Sequence, residues 1–199
     1  MKCKPTSQER GEARKLQVLD AAEDCFLRFG FHGASMAEIS RVASMSAGHI
    51  YNYFENKEAI INALVERKVA ETLAFMDEIE HEKDIGRVML SHIGDGLTEK
   101  LDSKSSALML EVVAEASRNP KMAELLYERD RILRARLRSL IMLSREQRGV
   151  EVNEDIDGAV EVVIALFEGL GIRGIANPGL DRAAVLRLME RIIHRVFNG

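Results

Sequence analysis

The side chains best suited to hydrogen-bonding chemistry gather in one short stretch. Ser46, Ala47, Gly48 and His49 are followed by Tyr51, Asn52 and Tyr53, with Ser35 upstream and Lys57 just beyond. Hydroxyl, backbone amide and ammonium donors of this kind hold phosphate oxygens, and side chains at the tip of a short helix reach base edges in a DNA major groove. The chemistry is recognition, not bond-making. Elsewhere the reactive residue types do not converge. The five histidines, at 32, 49, 81, 92 and 194, show no metal-ligand spacing with one another or with Cys3 and Cys25. Gly169, Gly171 and Gly174 spell a literal GxGxxG, but an apolar helical pattern precedes them and Pro178 follows, whereas a dinucleotide site needs a strand before and a helix after. No nucleophile elbow, phosphate-binding loop or carboxylate pair stands out, so no catalytic residue, metal or cofactor is expected.

Two short helices must position the recognition set. Ser35 and Glu38 have the spacing of a capping box, which starts a helix at Met36, and Ile39, Val42 and Ala43 give it an inner face. The run 43–46 is too polar and short-sided to continue it. Ser46 then caps a second helix over residues 47–54, in which Ile50 and Phe54 lie four apart on the buried side. The opposite side is small at its start, then aromatic and amide-bearing. Asn56 caps the next helix, with Glu58 in its first turn where the helix dipole favours an anion.

This stretch resembles the helix-turn-helix of the TetR/AcrR family of bacterial transcriptional regulators. The resemblance rests on Phe29, Gly30 and Gly33 before the motif, then Ser35, Ile39, Ala43, Ser46, Gly48, Tyr51, Phe54, Lys57 and Glu58, without a gap over about 30 residues. It implies base and phosphate contacts from Ser46, Ala47, Gly48, His49, Tyr51, Asn52 and Tyr53, and phosphate contacts from Ser35 and Lys57. One position departs from the pattern: Ser44 stands where the family usually has glycine. If Ser44 has a positive φ, it costs on the order of 1 kcal/mol relative to glycine.

Composition agrees with a helical regulator. The chain has 199 residues, 46% hydrophobic and 30% charged, with three prolines and no tryptophan, a mixture that favours helices. A net charge of −4 conceals a division: residues 1–57 carry eight basic and seven acidic side chains, the remainder 20 and 25. The basic head Lys2, Lys4, Arg10, Arg14 and Lys15 offers a local patch for phosphate. Two cysteines make no disulfide framework, no apolar run reaches the roughly 18 residues of a membrane span, and no secretory leader opens the chain, so a cytoplasmic protein is expected.

The expected architecture is all-α: a three-helix DNA-binding head with the helix-turn-helix over residues 1–56, then a helical effector-binding and dimerisation body over 57–199, about nine helices together. Helices are expected near residues 9–29, 57–80, 84–101, 105–117, 120–143, 154–175 and 181–197, with Gly30 as the residue that ends the first. In the penultimate helix, Ala159, Val163, Leu166 and Leu170 form one apolar stripe and Val160, Ile164 and Phe167 a second. With Leu188 and Ile192 of the last helix these are dimer-interface candidates, since two such helices from each of two chains make a four-helix bundle; burial within a single chain is the alternative. The resemblance also implies a small-molecule cavity between about residues 65 and 143. Met76, Met89, His92, Met109 and Met122 are its candidate lining, although flexible thioethers also fill ordinary cores. The expected function is a ligand-responsive repressor, homodimeric on a palindromic operator, with DNA, a small molecule and a second copy as partners. A ligand-sensing or protein-binding module with a merely structural helix-turn-helix is the alternative, and a helical enzyme ranks last.

Overall fold

Helices in this chain begin where a short polar side chain can take up an amide that the helix leaves free. Thr6, Ser35, Ser46, Asn56, Asp84, Asp155 and Asp181 each accept the backbone N–H three residues on. Each such cap is worth about 1 kcal/mol. The computed structural model describes residues 6–150 and 155–199, and among these the secondary structure is nine helices. They are α1 (Ser7–Gly33), α2 (Met36–Val42), α3 (Ala47–Tyr51), α4 (Lys57–Glu80), α5 (Ile85–Lys100), α6 (Ser103–Ala116), α7 (Pro120–Gln147), α8 (Ile156–Ala176) and α9 (Arg182–Asn198). Lys2, Cys3, Lys4 and the expected start of α8 at Glu154 lie outside the described residues.

Three local details differ from expectation. The second short helix, expected over residues 47–54, ends at Tyr51, where Asn52 N–H and Tyr53 N–H turn to the carbonyls three residues back and close the last turn. Only half of the capping box at Ser35 forms: the serine accepts the Glu38 amide at 3.1 Å, but the Glu38 carboxylate turns to Arg41 at 2.7 Å. That guanidinium holds the Glu38 carboxyl below the usual carboxylate range. The complete box is at Thr6 and Glu9, ahead of α1. Gly30 does leave the helical conformation, with φ +71°, but it kinks α1 without ending it, and one more turn runs to Gly33. The break removes the helical acceptor of the Phe31 amide, and the Glu111 carboxylate accepts that N–H at 3.0 Å.

Ser44 sits at φ +52°, in the left-handed region disfavoured for residues with a Cβ. Ser44→Gly is expected to stabilise the protein by about 1 kcal/mol, read as a shift in denaturant midpoint at unchanged slope.

The chain divides into two compact units. The first comprises Met1–Lys68 and Leu108–Leu125, the second Val69–Ala107 and Leu126–Gly199. Thus the head expected over residues 1–56 falls inside a larger unit that takes in the first part of α4 and the second part of α6. Within it α1 packs on α2, and α2 on α3. Val18, Ala22, Cys25, Phe26, Ile39, Ile50, Ile60 and Ile61 are almost completely buried. Burial pushes the Cys25 thiol up and keeps it protonated, so it packs as a small apolar residue. Arg67 of α4 binds Asp20 and Glu23 of α1 at 2.7 and 2.8 Å.

In the second unit α5 packs against α8 and α9. Ile85, Ile93, Leu97, Leu140, Ile141, Val160, Val163, Met189, Ile193 and Phe197 belong to one apolar core. The arginines of α7 are ion-paired: Arg136 with Asp77 and Glu80, Arg134 with Asp130 and Glu161, Arg138 with Asp157. The glycines of the GxGxxG lie inside α8; a Cβ at Gly171 would come within 2.7 Å of Ser106 Oγ and one at Gly174 within 3.2 Å of Leu101, so these two serve close packing, whereas a Cβ at Gly169 would meet nothing within 4 Å. Gly86 admits the buried amide of Asn198; a Cβ there would stand 2.1 Å from Asn198 Oδ1 and 3.0 Å from Ser144 Oγ. Gly86→Ala must displace that amide. The expected cost is about 1–3 kcal/mol, read as a lower denaturant midpoint, with the first unit's interactions untouched.

Candidate nucleic-acid interface

The turn between α2 and α3 is fixed from three sides. Gln17 of α1 donates its amide to Ala43 O at 2.7 Å, the Met45 amide returns to Ser40 O at 3.0 Å, and Ser46 caps α3. Ile50 is fully buried and Phe54 nearly so, which anchors α3 on its apolar side. Its other side is open. Ser46, Ala47, Gly48, His49 and Asn52 are exposed, Tyr51 is 53% exposed, and Tyr53 is half-buried. Ser35 is exposed at the start of α2. A Cβ on Gly48 would meet nothing within 4 Å, so no packing within the chain requires a glycine there. His49 and Tyr53, one turn apart, stack edge-on with ring centroids 5.3 Å apart.

Lys57 takes a different part from the phosphate contact expected of it. Its ammonium donates to Phe31 O at 2.6 Å and Ala34 O at 2.7 Å, lies 3.4 Å from His32 O, and sits 4.8 Å from the Phe31 ring centre. An ammonium has three donors, and three carbonyls of the 31–34 connector face them. The end of α1 at Gly33 leaves those carbonyls without helical donors, and Lys57 turns inward to satisfy them. Glu115 of α6 borders the same connector, its carboxylate 2.9 Å from His32 Nε2 and 3.3 Å from the Asn119 amide. Sequence reasoning missed Glu111 and Glu115. Their signal was two carboxylates four apart on a largely apolar helix.

The effector-lining candidates fall in both units. Met109 and Met122 belong to the first unit and Met76, Met89 and His92 to the second. Met122 and Met76 are core residues, at 2% and 9% exposure. His92 is exposed, with Nδ1 2.9 Å from Val88 O and its ring against Phe75. A shallow groove of about 400 Å³ between α4 and α7 is lined by Leu73, Asp77, Arg131, Ile132 and Arg136, none of them among the candidates.

The dimer candidates separate as well. Val163 and Leu170 lie in the second unit's own core, at 3% and 8% exposure, together with Ile156 and Val160, so the buried side of α8 draws on both stripes. Ala159, Leu166 and Ile192 are half-buried and Leu188 is 51% exposed. The outward side of α8 is instead marked by Val162 and Ile172, at 52% and 53%. A helix apolar on two sides gives no single period from which to choose the inner one.

An all-helical protein presenting a capped, outward-facing second helix of a helix-turn-helix belongs to the class of DNA-binding regulators. Residues 18–64 match the family described as bacterial regulatory proteins, tetR family, and residues 87–198 match the BetI-type transcriptional repressor, C-terminal. The chain is 30% identical to the HTH-type transcriptional regulator UidR of Escherichia coli strain K12 over 160 residues, 77% of this chain and 76% of that one. Among solved structures, Salmonella enterica GusR superposes with a TM-score of 0.74 at 25% identity, covering 92% of this chain and 96% of that one. FadR from Bacillus subtilis in complex with stearoyl-CoA superposes with a TM-score of 0.75 at 18% identity, covering 92% and 98%, and shares the fold. The chain is a member of the TetR family of transcriptional regulators. No helix among the described residues is long and apolar enough to cross a membrane.

Proposed function

We propose that this regulator is a cytoplasmic repressor that binds a palindromic operator as a homodimer and releases it when a small molecule binds the helical body. The observation that carries the reading is the open side of α3, where Ser46, Gly48, His49, Tyr51 and Asn52 are exposed above a buried Ile50. That side packs against nothing among the described residues and has the right chemistry for a major groove. Two copies would set two such helices about 34–36 Å apart, one turn of duplex, so a symmetric protein would read a symmetric site. Ser35, Ser46 and Tyr51 hold phosphates, while Ala47, Gly48, His49 and Asn52 meet base edges. The test is binding of the purified protein to DNA flanking its own gene across a salt series. Sequence-selective affinity that falls steeply with salt is expected. Absence of selective, salt-sensitive binding would sink the reading.

The exposed apolar side chains of α8 and α9 support the homodimer. Val162, Ile172 and Leu188, each about half exposed, lie beside the half-buried Ala159, Leu166 and Ile192. Pairing these helices with their copies buries that surface in a four-helix interface. Leu188→Asp is expected to give a monomer by sedimentation, with operator binding lost and the helical circular dichroism kept.

The effector is taken up in the second unit, with Met89 and His92 as the candidates nearest its surface. FadR from Bacillus subtilis, with the same fold, holds stearoyl-CoA. An effector that binds the released form better shifts the population away from DNA by the ratio of its two affinities. Titrating candidate ligands into the operator complex tests this: a true effector lowers operator affinity and, reciprocally, binds less tightly when operator is present.

A further inference from the structure

His49, exposed on the open side of α3, stacks on Tyr53, which is half-buried just beyond the helix end at Tyr51. The Tyr53 hydroxyl is 3.5 Å from His49 Nε2, long for such a bond, and the rings meet edge-on at an interplanar angle of 81°. A small rotation of either ring closes the bond, and the edge-on stack already holds the two in register. Tyr53 is half-buried and its backbone amide is tied to Ile50 O at 2.9 Å, so the phenol has the more fixed position of the two.

The direction of the bond follows from the chemistry. An imidazole nitrogen is a much stronger base than a phenol oxygen, and a phenol is a more acidic donor than a neutral imidazole N–H. The favoured pairing is therefore Tyr53 O–H donating to His49 Nε2. A bond at one ring nitrogen sets the proton on the other. We infer that Tyr53 fixes the exposed His49 imidazole as an Nδ1–H donor and thereby makes His49 a sequence-reading residue that selects an acceptor base edge. Protonation does not alter this. In the imidazolium Nε2–H donates to the phenol oxygen instead, and Nδ1–H remains a donor.

In the major groove, guanine offers N7 and O6, adenine N7 and thymine O4 as acceptors, whereas cytosine presents its N4 amino donor. A donor at His49 thus accepts the first three at the base it faces and refuses cytosine, by roughly tenfold for one unmatched donor pair. Tyr53 is then a positioning residue, acting through His49. The inference rests on the operator-binding reading for its consequence, but the tautomer itself is a property of the free protein.

Two measurements test it. In the free protein, nitrogen-15 shifts of His49 above its titration should show the Nδ1–H tautomer, contrary to the usual preference of histidine for Nε2–H, and Tyr53→Phe should restore Nε2–H. An Nε2–H ring in the wild type overturns the inference whatever the protein does with DNA. Binding-site selection from randomised duplexes should then show one position per half-site depleted of cytosine about tenfold. Tyr53→Phe and His49→Ala should each lose that depletion while keeping the preferences at other positions. A uniform loss of affinity in Tyr53→Phe with the cytosine depletion intact overturns it too. A wild type that shows the Nδ1–H tautomer but enriches no sequence would defeat the operator reading and, with it, the base-reading role of His49.

Discussion

Gly48→Ala is expected to make the free protein more stable and a weaker DNA binder. Glycine in a helix costs up to about 1 kcal/mol relative to alanine, and nothing in the chain asks for that cost at position 48. The backbone is ordinary helix, the residue is exposed, and an added Cβ meets no atom within 4 Å. The gain should appear as a rise in Tm of about 2–4 °C. If α3 enters a major groove as proposed, its backbone at Gly48 comes close to the duplex, and a use for glycine there lies in that approach. A methyl group there holds the helix off the groove and loosens every neighbouring contact. We expect affinity to fall by roughly tenfold or more, equivalent to about 1.4 kcal/mol, with the salt dependence little changed because no charge is altered. Stability and binding moving in opposite directions is a result that no folding defect can mimic. Equal binding by the alanine variant would show that α3 does not approach DNA by this edge.

Lys57→Met should have the opposite signature. Its ammonium is committed to the carbonyls of the 31–34 connector, with bonds of 2.6 and 2.7 Å to Phe31 and Ala34. Hydrogen bonds to a charged group are worth about 1.5–3 kcal/mol, and the orphaned carbonyls keep part of their desolvation cost. A loss of about 2–4 kcal/mol follows, or roughly 5–15 °C in Tm for a chain of this size. Lys57→Arg should not rescue it, since a planar fork cannot reach three carbonyls arranged around a point charge. In the fraction that stays folded, the slope of log affinity against log salt should match the wild type. A normal Tm with that slope reduced by about one would instead return Lys57 to the phosphate backbone.

Local chemistry was legible in the sequence wherever one residue type has one use. Ser46 and Asn56 are caps because their oxygens reach an amide three residues on. Ile50 is the anchor of α3; Phe54, expected on the same helix, is buried too but lies beyond its end at Tyr51, and Ser44 takes the positive φ that the departure from the family pattern raised. What the sequence concealed were choices between partners. Glu38 could close a capping box or meet Arg41, and the guanidinium wins because a charged donor binds a carboxylate more strongly than an amide does. Lys57 could face phosphate or the connector, and the connector's carbonyls are free because α1 ends at Gly33 and leaves its last C=O groups without helical donors. On α8 the apolar residues cover more than one side, so Val163 and Leu170 in the core cannot be told by period from Val162 and Ile172 outside it.

The side-chain caps have a consequence for how the chain reaches this structure. Each of seven helices carries its own start signal within three residues of its first amide. Nucleation is the costly step in making a helix, and a local cap lowers that cost before any distant segment has arrived. Helical segments can thus begin to form early and along the whole length, leaving the slower search to the docking of pieces already partly made. Refolding of such a chain should be fast in its early phases, with the late phases governed by the joining of its two compact units.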